Sequence, residues 1–175
     1  GTAELLPGDT DELVSLGSPF VEPVWLVYRT DSAESKARSP RIDSLRQLRG
    51  WRVNVGSEGS GVPRLMDRLL EANKLAPGDV QMFRLDQTPA TVKFLAGELD
   101  ALVFASAPES LMVQMLLQTP GVQLLDFPQH EAYARRFPFL TPVTLPRGVV
   151  DLAANVPARD VPLVASTTSM LAREA

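Results

Sequence analysis

The eleven residues from Trp51 to Gly61, "WRVNVGSEGSG", carry three glycines and two serines between a β-branched run and an amphipathic series that opens at Val62 and Pro63. At the mouth of a helix the first backbone N–H groups lack intrahelical acceptors and the positive end of the helix dipole faces outward, so a carboxylate or phosphate can bind there. Bare backbone at Gly56, Gly59 and Gly61 allows close approach, and Ser57 and Ser60 each offer a hydroxyl donor. The candidate anion site is the set of N–H groups at Ser60, Gly61 and Val62, with Ser57 and Gly59 completing the loop. The glycines also suit a tight turn that needs positive φ, and the two readings coexist at this point. Glu58 either faces solvent or pairs with a ligand ammonium, which would suit an amino acid better than a dicarboxylate.

Several chemistries are set aside by what surrounds this loop. Val62 and Pro63 follow Gly61 where a Walker loop would carry Lys and Ser or Thr, so the amine that grips a nucleoside triphosphate is missing. The glycine order is G-x-x-G-x-G rather than the dinucleotide G-x-G-x-x-G, and Asp86 after the next strand is a weak counterpart of a ribose-binding acid. The chain has no cysteine, which removes thiolate catalysis, cysteine-ligated zinc and disulfides together. Its one histidine, His130, sits in the polar stretch "FPQHEAYARRF" with no nucleophile nearby and reads as a surface side chain, so no catalytic residue and no metal site is expected. A dinucleotide-binding enzyme domain remains an alternative on the strand–helix series and Asp86, and a small-molecule-sensing effector domain of a regulator is a second alternative.

The elements that must position the loop follow a regular beat. Short β-rich runs at 52–56, 80–85, 101–105 and 122–126 each lead through a few turn residues and a proline into a helix, and Pro63, Pro89, Pro108 and Pro128 mark the helix starts. In the first helix Val62, Leu65, Met66, Leu69 and Leu70 recur at helical spacing, with Arg64, Asp67, Arg68 and Glu71 opposite, which predicts one buried face. The run "LMVQMLL" is apolar almost all round and is expected to lie deeper, with Met112 and Met115 as core filler or pocket lining. Alternation of strand and helix predicts an α/β fold with a mainly parallel sheet flanked by helices. Ligands of such sheets gather beyond the carboxyl ends of the strands, which here are the 57–61 loop, Gln87 with Thr88, and Ala105 with Ser106. These are small neutral hydrogen-bonding residues that suit holding a ligand, and Thr88 and Ser106 double as candidate helix N-caps.

The whole chain agrees with a binding module. Its 175 residues are 45% hydrophobic and 22% charged with a net charge of −4, so nothing draws it to a phosphate backbone and nucleic acid is not an expected partner. No segment approaches a membrane span, and the start at "GTAELLPGD" carries no signal peptide and is read as a processed or trimmed terminus.

The stretches "LRQLRGWRVNVGSEGSG", "FLAGELDALVFAS", "VQLLDF", "LPRG" and "DVPLVAS" resemble the TAXI-type solute-binding subunits of TRAP (tripartite ATP-independent periplasmic) transporters. Leu48, Gly50, Val53, Gly56, Gly59, Ser60 and Gly61 fit the strand–loop motif, and Gly97, Asp100 and Ala101 fit the turn into the third strand. The resemblance implies a periplasmic binding protein type II-like fold, a periplasmic (extracytoplasmic) location, no cofactor, and capture of a small organic acid or amino acid for delivery to TRAP membrane permease subunits. Carried onto this chain it implies that the 57–62 loop contacts the ligand acid group and that "EPVWLVYR" is the strand entering the second lobe. Val149 and Val150 stand where the family has a tyrosine. On this reading residues 1–50 are an incoming stub with a crossing strand and charged loop, 51–138 the main lobe, and 139–175 the closing strands and return crossing. Most of the first lobe would then lie outside this chain, and the stubs would pair with each other, or with a second copy as a homodimer, to cover exposed strand edges.

Overall fold

The computed structural model describes residues 21–167. The parts of the two outer segments at 1–20 and 168–175 lie outside the described residues. The elements are β1 (Val21–Arg29), a helical turn α1 (Thr30–Ser32) that widens into a π-helical turn over Ala33–Ala37, a 3-10 turn over Leu45–Leu48, β2 (Arg52–Asn54), a second 3-10 turn over Glu58–Ser60, α2 (Val62–Ala72), β3 (Gln81–Phe83), α3 (Gln87–Leu95), β4 (Ala101–Ala105), α4 (Leu111–Leu117), β5 (Val122–Leu124), α5 (His130–Arg136), β6 (Leu140–Leu145) and β7 (Val161–Thr167).

The strands form one seven-stranded sheet in the order β3-β2-β4-β1-β7-β6, with β5 also paired to β1. The α/β class is as the pattern predicts, and the four expected runs at 52–56, 80–85, 101–105 and 122–126 share the sheet, although only the third keeps its full expected length. Strand direction differs from expectation. Only β2–β3 and β2–β4 are parallel, whereas β1 runs antiparallel to β4, β5 and β7, and β6 antiparallel to β7. The physical reason lies in β1. Its apolar stretch Val24 to Tyr28 occupies the edge of β4 in register with Ala105 to Ala101, so β5 cannot continue the parallel series beside β4. It pairs instead with the end of β1, Val27 to Arg29. The other end of β1 meets β7, so the two flanking stretches do pair with each other, Val21 opposite Thr167.

Helices cover both faces. Along β4 the side chains alternate, with Ala101 and Val103 joining the larger core and Leu102 the smaller one. Helix α2 buries Val62, Leu65, Met66, Leu69 and Leu70 in the larger core and leaves Arg64, Asp67, Arg68 and Glu71 outside, as its spacing predicts. The smaller core packs Ala90 and Phe94 of α3 with Val27, Leu99, Leu102 and Leu116. Helix α4 is shallower than its composition suggests. Val113 and Leu116 are buried, but Leu111 is 87% exposed and Met115 faces outward. Its two buried positions join the two cores, Val113 the larger and Leu116 the smaller.

Two polar devices fix the frame. The Asp100 carboxylate, 1% exposed, accepts from Ser32 Oγ at 2.7 Å, Lys36 Nζ at 2.7 Å, the Arg52 backbone N–H at 2.7 Å, and Arg52 Nε and Nη2 at 3.2 and 3.0 Å. It joins the start of β4 to the start of β2 and to the turn after β1. His130, expected at the surface, is instead half-buried, and its Nδ1 lies 3.0 Å from the Val143 carbonyl and 3.1 Å from the Leu163 carbonyl. Both neighbours only accept, so Nδ1 carries a proton and anchors α5 on the β6–β7 hairpin.

Candidate functional site

A cavity of about 280 Å³ opens beyond the carboxyl ends of β2 and β4, beside the N-termini of α2 and α3. The glycine–serine loop reaches it through Gly56, Ser57, Ser60 and Val62. Across from the loop stand Asp86, Gln87, Ala90 and Thr91 at the start of α3, and the floor is made by Asn54 of β2 and by Leu102 to Ala105 of β4. Glu22 of β1 completes the wall. Five of the nine residues expected at the site therefore line it: Ser57, Ser60, Val62, Gln87 and Ala105. Gly59, Gly61, Thr88 and Ser106 lie next to lining residues in the chain without themselves lining the cavity.

The loop's donors are largely committed to the loop. Ser60 N–H donates to the Ser57 carbonyl at 3.0 Å, and Ser60 Oγ donates to the same carbonyl at 2.8 Å. Val62 N–H donates to Ser60 Oγ at 3.3 Å. Of the three N–H groups proposed to hold an anion, only Gly61 stands outside these bonds. Gly61 has φ +81° and caps α2, and Gly56 has φ +89°. A Cβ at Gly56 would stand 3.0 Å from Ser60 Oγ, so this glycine is required both by its backbone angle and by the close serine. The turn reading of the glycines thus accounts for most of the loop's hydrogen bonding.

Glu22, Asn54 and Thr91 are polar lining residues that sequence reasoning missed, and the most buried of the three is Asn54. It is 3% exposed, and its amide bonds the Leu85 backbone twice: Leu85 N–H donates to Asn54 Oδ1 at 2.8 Å and Asn54 Nδ2 donates to the Leu85 carbonyl at 3.2 Å. With Val55 N–H donating to the Phe83 carbonyl at 2.8 Å, it prolongs the β2–β3 ladder after the strands have ended and fixes the segment that presents Asp86 and Gln87. The only available signal was an amide-bearing residue inside a β-branched run.

The candidate caps move. Asp86, not Thr88, is the N-cap of α3, yet its carboxylate makes no capping hydrogen bond, and Thr88 lies inside the helix. Ser110, not Ser106, caps α4 by accepting from Val113 N–H at 3.2 Å. The Ser106 hydroxyl donates to the Ala107 carbonyl at 3.4 Å, and the Ser106 carbonyl accepts from Trp25 Nε1 at 2.8 Å. Glu58 is tied to Arg84 at 2.8 Å and does not line the cavity. Among the described residues no group of three His, Cys, Asp or Glu is placed to hold a metal, and no helix is long and apolar enough to cross a membrane.

Comparison with known proteins adds a family. The model described as the NMT1-like family matches residues 9–175. Among solved structures, the periplasmic aliphatic sulphonate binding protein SsuA from Escherichia coli is 14% identical with a TM-score of 0.48, over 91% of this chain and 45% of that one. The alkanesulfonate-binding protein SsuA from Xanthomonas axonopodis pv. citri, bound to MOPS, is 20% identical with a TM-score of 0.44, over 62% of this chain and 36% of that one. The amino acid ABC transporter substrate-binding protein AbpA from Streptococcus pneumoniae, bound to L-arginine, is 12% identical with a TM-score of 0.43, over 89% and 50% respectively. The chain spans between about a third and a half of the length of these proteins.

Proposed function

The chain belongs to the NMT1-like family, and from that premise we propose that it forms one lobe, with hinge segments, of an extracytoplasmic solute-binding protein that captures a small organic acid or amino acid for a membrane permease. The observation that carries this reading is the cavity at the carboxyl ends of parallel strands β2 and β4, walled by Ser57, Gln87, Thr91 and the Asn54-fixed segment. Ligands of open α/β sheets gather at this place, and these side chains hydrogen-bond without forming a nucleophile–base pair. The role is therefore binding rather than catalysis.

The finer reading assigns the chain to the TAXI-type subunits of TRAP transporters, with residues 51–138 as the main lobe and the permease as its membrane partner. Support comes from the strand–loop motif through Gly61 and from the turn at Gly97 to Ala101, where Asp100 binds Arg52. Ser57 and Gln87 are the ligand donors on this reading. Nuclear magnetic resonance titration of the labelled chain tests it. Amino acids and small carboxylates at millimolar concentration should shift the amide signals of 54–62 and 86–91 together. Shifts confined to other surfaces, or none with any small acid or amino acid, would overturn the assignment.

A further inference from the structure

A second group of polar side chains gathers where α2 and α5 end. Arg68, Glu71, Ala72, Lys74, Arg136 and Phe137 line a depression of about 530 Å³ that shares no residue with the cavity beyond β2 and β4. Three of them are cations and one is an acid. Elsewhere among the described residues basic side chains are mostly paired with carboxylates, as Arg29 is with Asp31, Arg52 with Asp100 and Arg159 with Asp126. No ion pair or hydrogen bond among the described residues engages the side-chain nitrogens of Arg68, Lys74 or Arg136.

Aromatic rings hold the two arginines. The Arg68 guanidinium carbon lies 5.4 Å from the Phe137 ring centroid and 5.0 Å from that of Phe139, and the Arg136 carbon lies 6.0 Å from the Phe137 centroid. Cation–π attraction fixes each group while its N–H donors stay available to an acceptor. Two positive charges on one ring also repel each other, and an anion bound beside both offsets that repulsion. The helices are tied together here, since Asn73 Nδ2 donates to the Tyr133 hydroxyl at 2.8 Å.

Lys74 is held by the backbone. It follows α2 at φ +66°, its N–H donating to the Glu71 carbonyl at 2.9 Å while Leu75 N–H donates to the Leu70 carbonyl at 3.1 Å. Helices that close in this way ordinarily carry glycine at the left-handed position, so lysine stands here against local preference. Compensation of the helix ends does not account for the cluster, because each end presents only about half a negative charge and three full positive charges meet there.

We propose that this depression is a second binding site, separate from the solute cavity, and that it takes a phosphate-type dianion held by Arg68, Lys74 and Arg136. A tetrahedral dianion offers acceptor oxygens in several directions, which suits donors arriving from two helices, whereas a planar carboxylate is matched by a single guanidinium. All three cations are exposed, so salt screens the attraction and the affinity belongs in the millimolar range.

Glycerol 3-phosphate, a phosphomonoester dianion, and dimethyl phosphate, a tetrahedral monoanion, provide the test. Each is titrated at constant ionic strength into the labelled chain and followed at the amides of 68–75 and 133–139, apart from the signals that report the solute cavity. The dianion should shift these signals together and bind at least about tenfold more tightly than the monoanion. Arg136→Gln should weaken the dianion about tenfold, and Glu71→Gln should tighten it. Lys74→Gly should weaken it by at least about threefold while the thermal midpoint holds or rises, because glycine accepts φ +66° without strain. Weaker binding in a chain of equal or greater stability separates recognition from damage to the fold. Vesicles of phosphatidate in phosphatidylcholine identify the source: a chain that sediments with them takes the phosphate from a lipid headgroup, and one that stays in solution while binding glycerol 3-phosphate takes it from a soluble phosphoester. Equal affinity for the two probes, the same shifts with sodium chloride alone, or binding unchanged by both Arg136→Gln and Lys74→Gly would overturn the site and leave the solute-binding reading untouched.

Discussion

Replacing Asp100 with Asn keeps the side-chain shape and removes the charge that three donor groups share. In the native chain this carboxylate receives contacts from Ser32, Lys36 and Arg52, including the Arg52 backbone N–H, and it is almost completely buried. An Asn at this position offers one acceptor oxygen and turns an NH₂ group toward donors, leaving Lys36 and Arg52 without their counter-charge. Breaking a buried ion pair from one side costs about 3–5 kcal/mol. With a urea slope of about 2 kcal/mol/M for a domain of this size, the unfolding midpoint should fall by about 2 M. Acid provides a second readout. Burial alone would raise this carboxyl's pKa, but hydrogen bonds from Arg52, Lys36 and Ser32 outweigh it and hold the group well below the usual carboxylate range. Its folded pKa is thus depressed, so its contribution is fully present above the unfolded value near about 3.9 and is lost as pH falls below that toward the lower folded value. The gap between native and Asp100→Asn chains should be constant from neutral pH down to about 5 and should narrow below about 4. Equilibrium urea unfolding across this pH range measures it. A neutral-pH difference under about 1 kcal/mol, or a gap that does not narrow in acid, would refute the argument that charge pairing at Asp100 holds β4 to β2.

Gly61→Val forces a β-branched residue to φ +81° and should destabilise the chain by about 1–3 kcal/mol, read as a lowered thermal midpoint. Asn54→Ala leaves the Leu85 N–H and carbonyl without their partners, which should cost about 1–3 kcal/mol and speed hydrogen exchange at Leu85 more than at Met66. His130→Ala removes the donor shared by the Val143 and Leu163 carbonyls, with an expected loss of about 1–2 kcal/mol in urea unfolding.

What the sequence disclosed was local. The buried face of α2 follows directly from the spacing of Val62, Leu65, Met66, Leu69 and Leu70, and β4 follows from an apolar run preceded by the Gly97 turn. Neighbour choice was not legible, because an apolar strand such as β5 pairs equally well in principle with β4 or β1, and only the prior claim of Val24 to Tyr28 on β4 decides it. Composition misled at α4, where Leu111 and Met115 extend an apolar pattern beyond the face that the sheet covers. At the site, the glycine–serine loop was visible as a motif, while Asn54 was not, since its partner Leu85 is 31 residues away. Ser60 shows the same limit. Its hydroxyl was legible as a donor, but the nearest acceptor was the loop's own Ser57 carbonyl.

The pairing of β1 with β7 has a kinetic consequence. The first described strand lies between β4 and the last described strand, and it is also the strand that β5 joins. Closing the sheet therefore requires contacts between the far ends of the described chain, and ordering so long a loop precedes any gain from the contacts it brings. The local β2–α2–β3 unit can collapse early, but β6 and β7 find their edge only when β1 is in place. During synthesis the part of the β1 edge at 21–23 stays open until residues 161–167 have emerged, and an open edge of this kind is where association with another nascent copy begins.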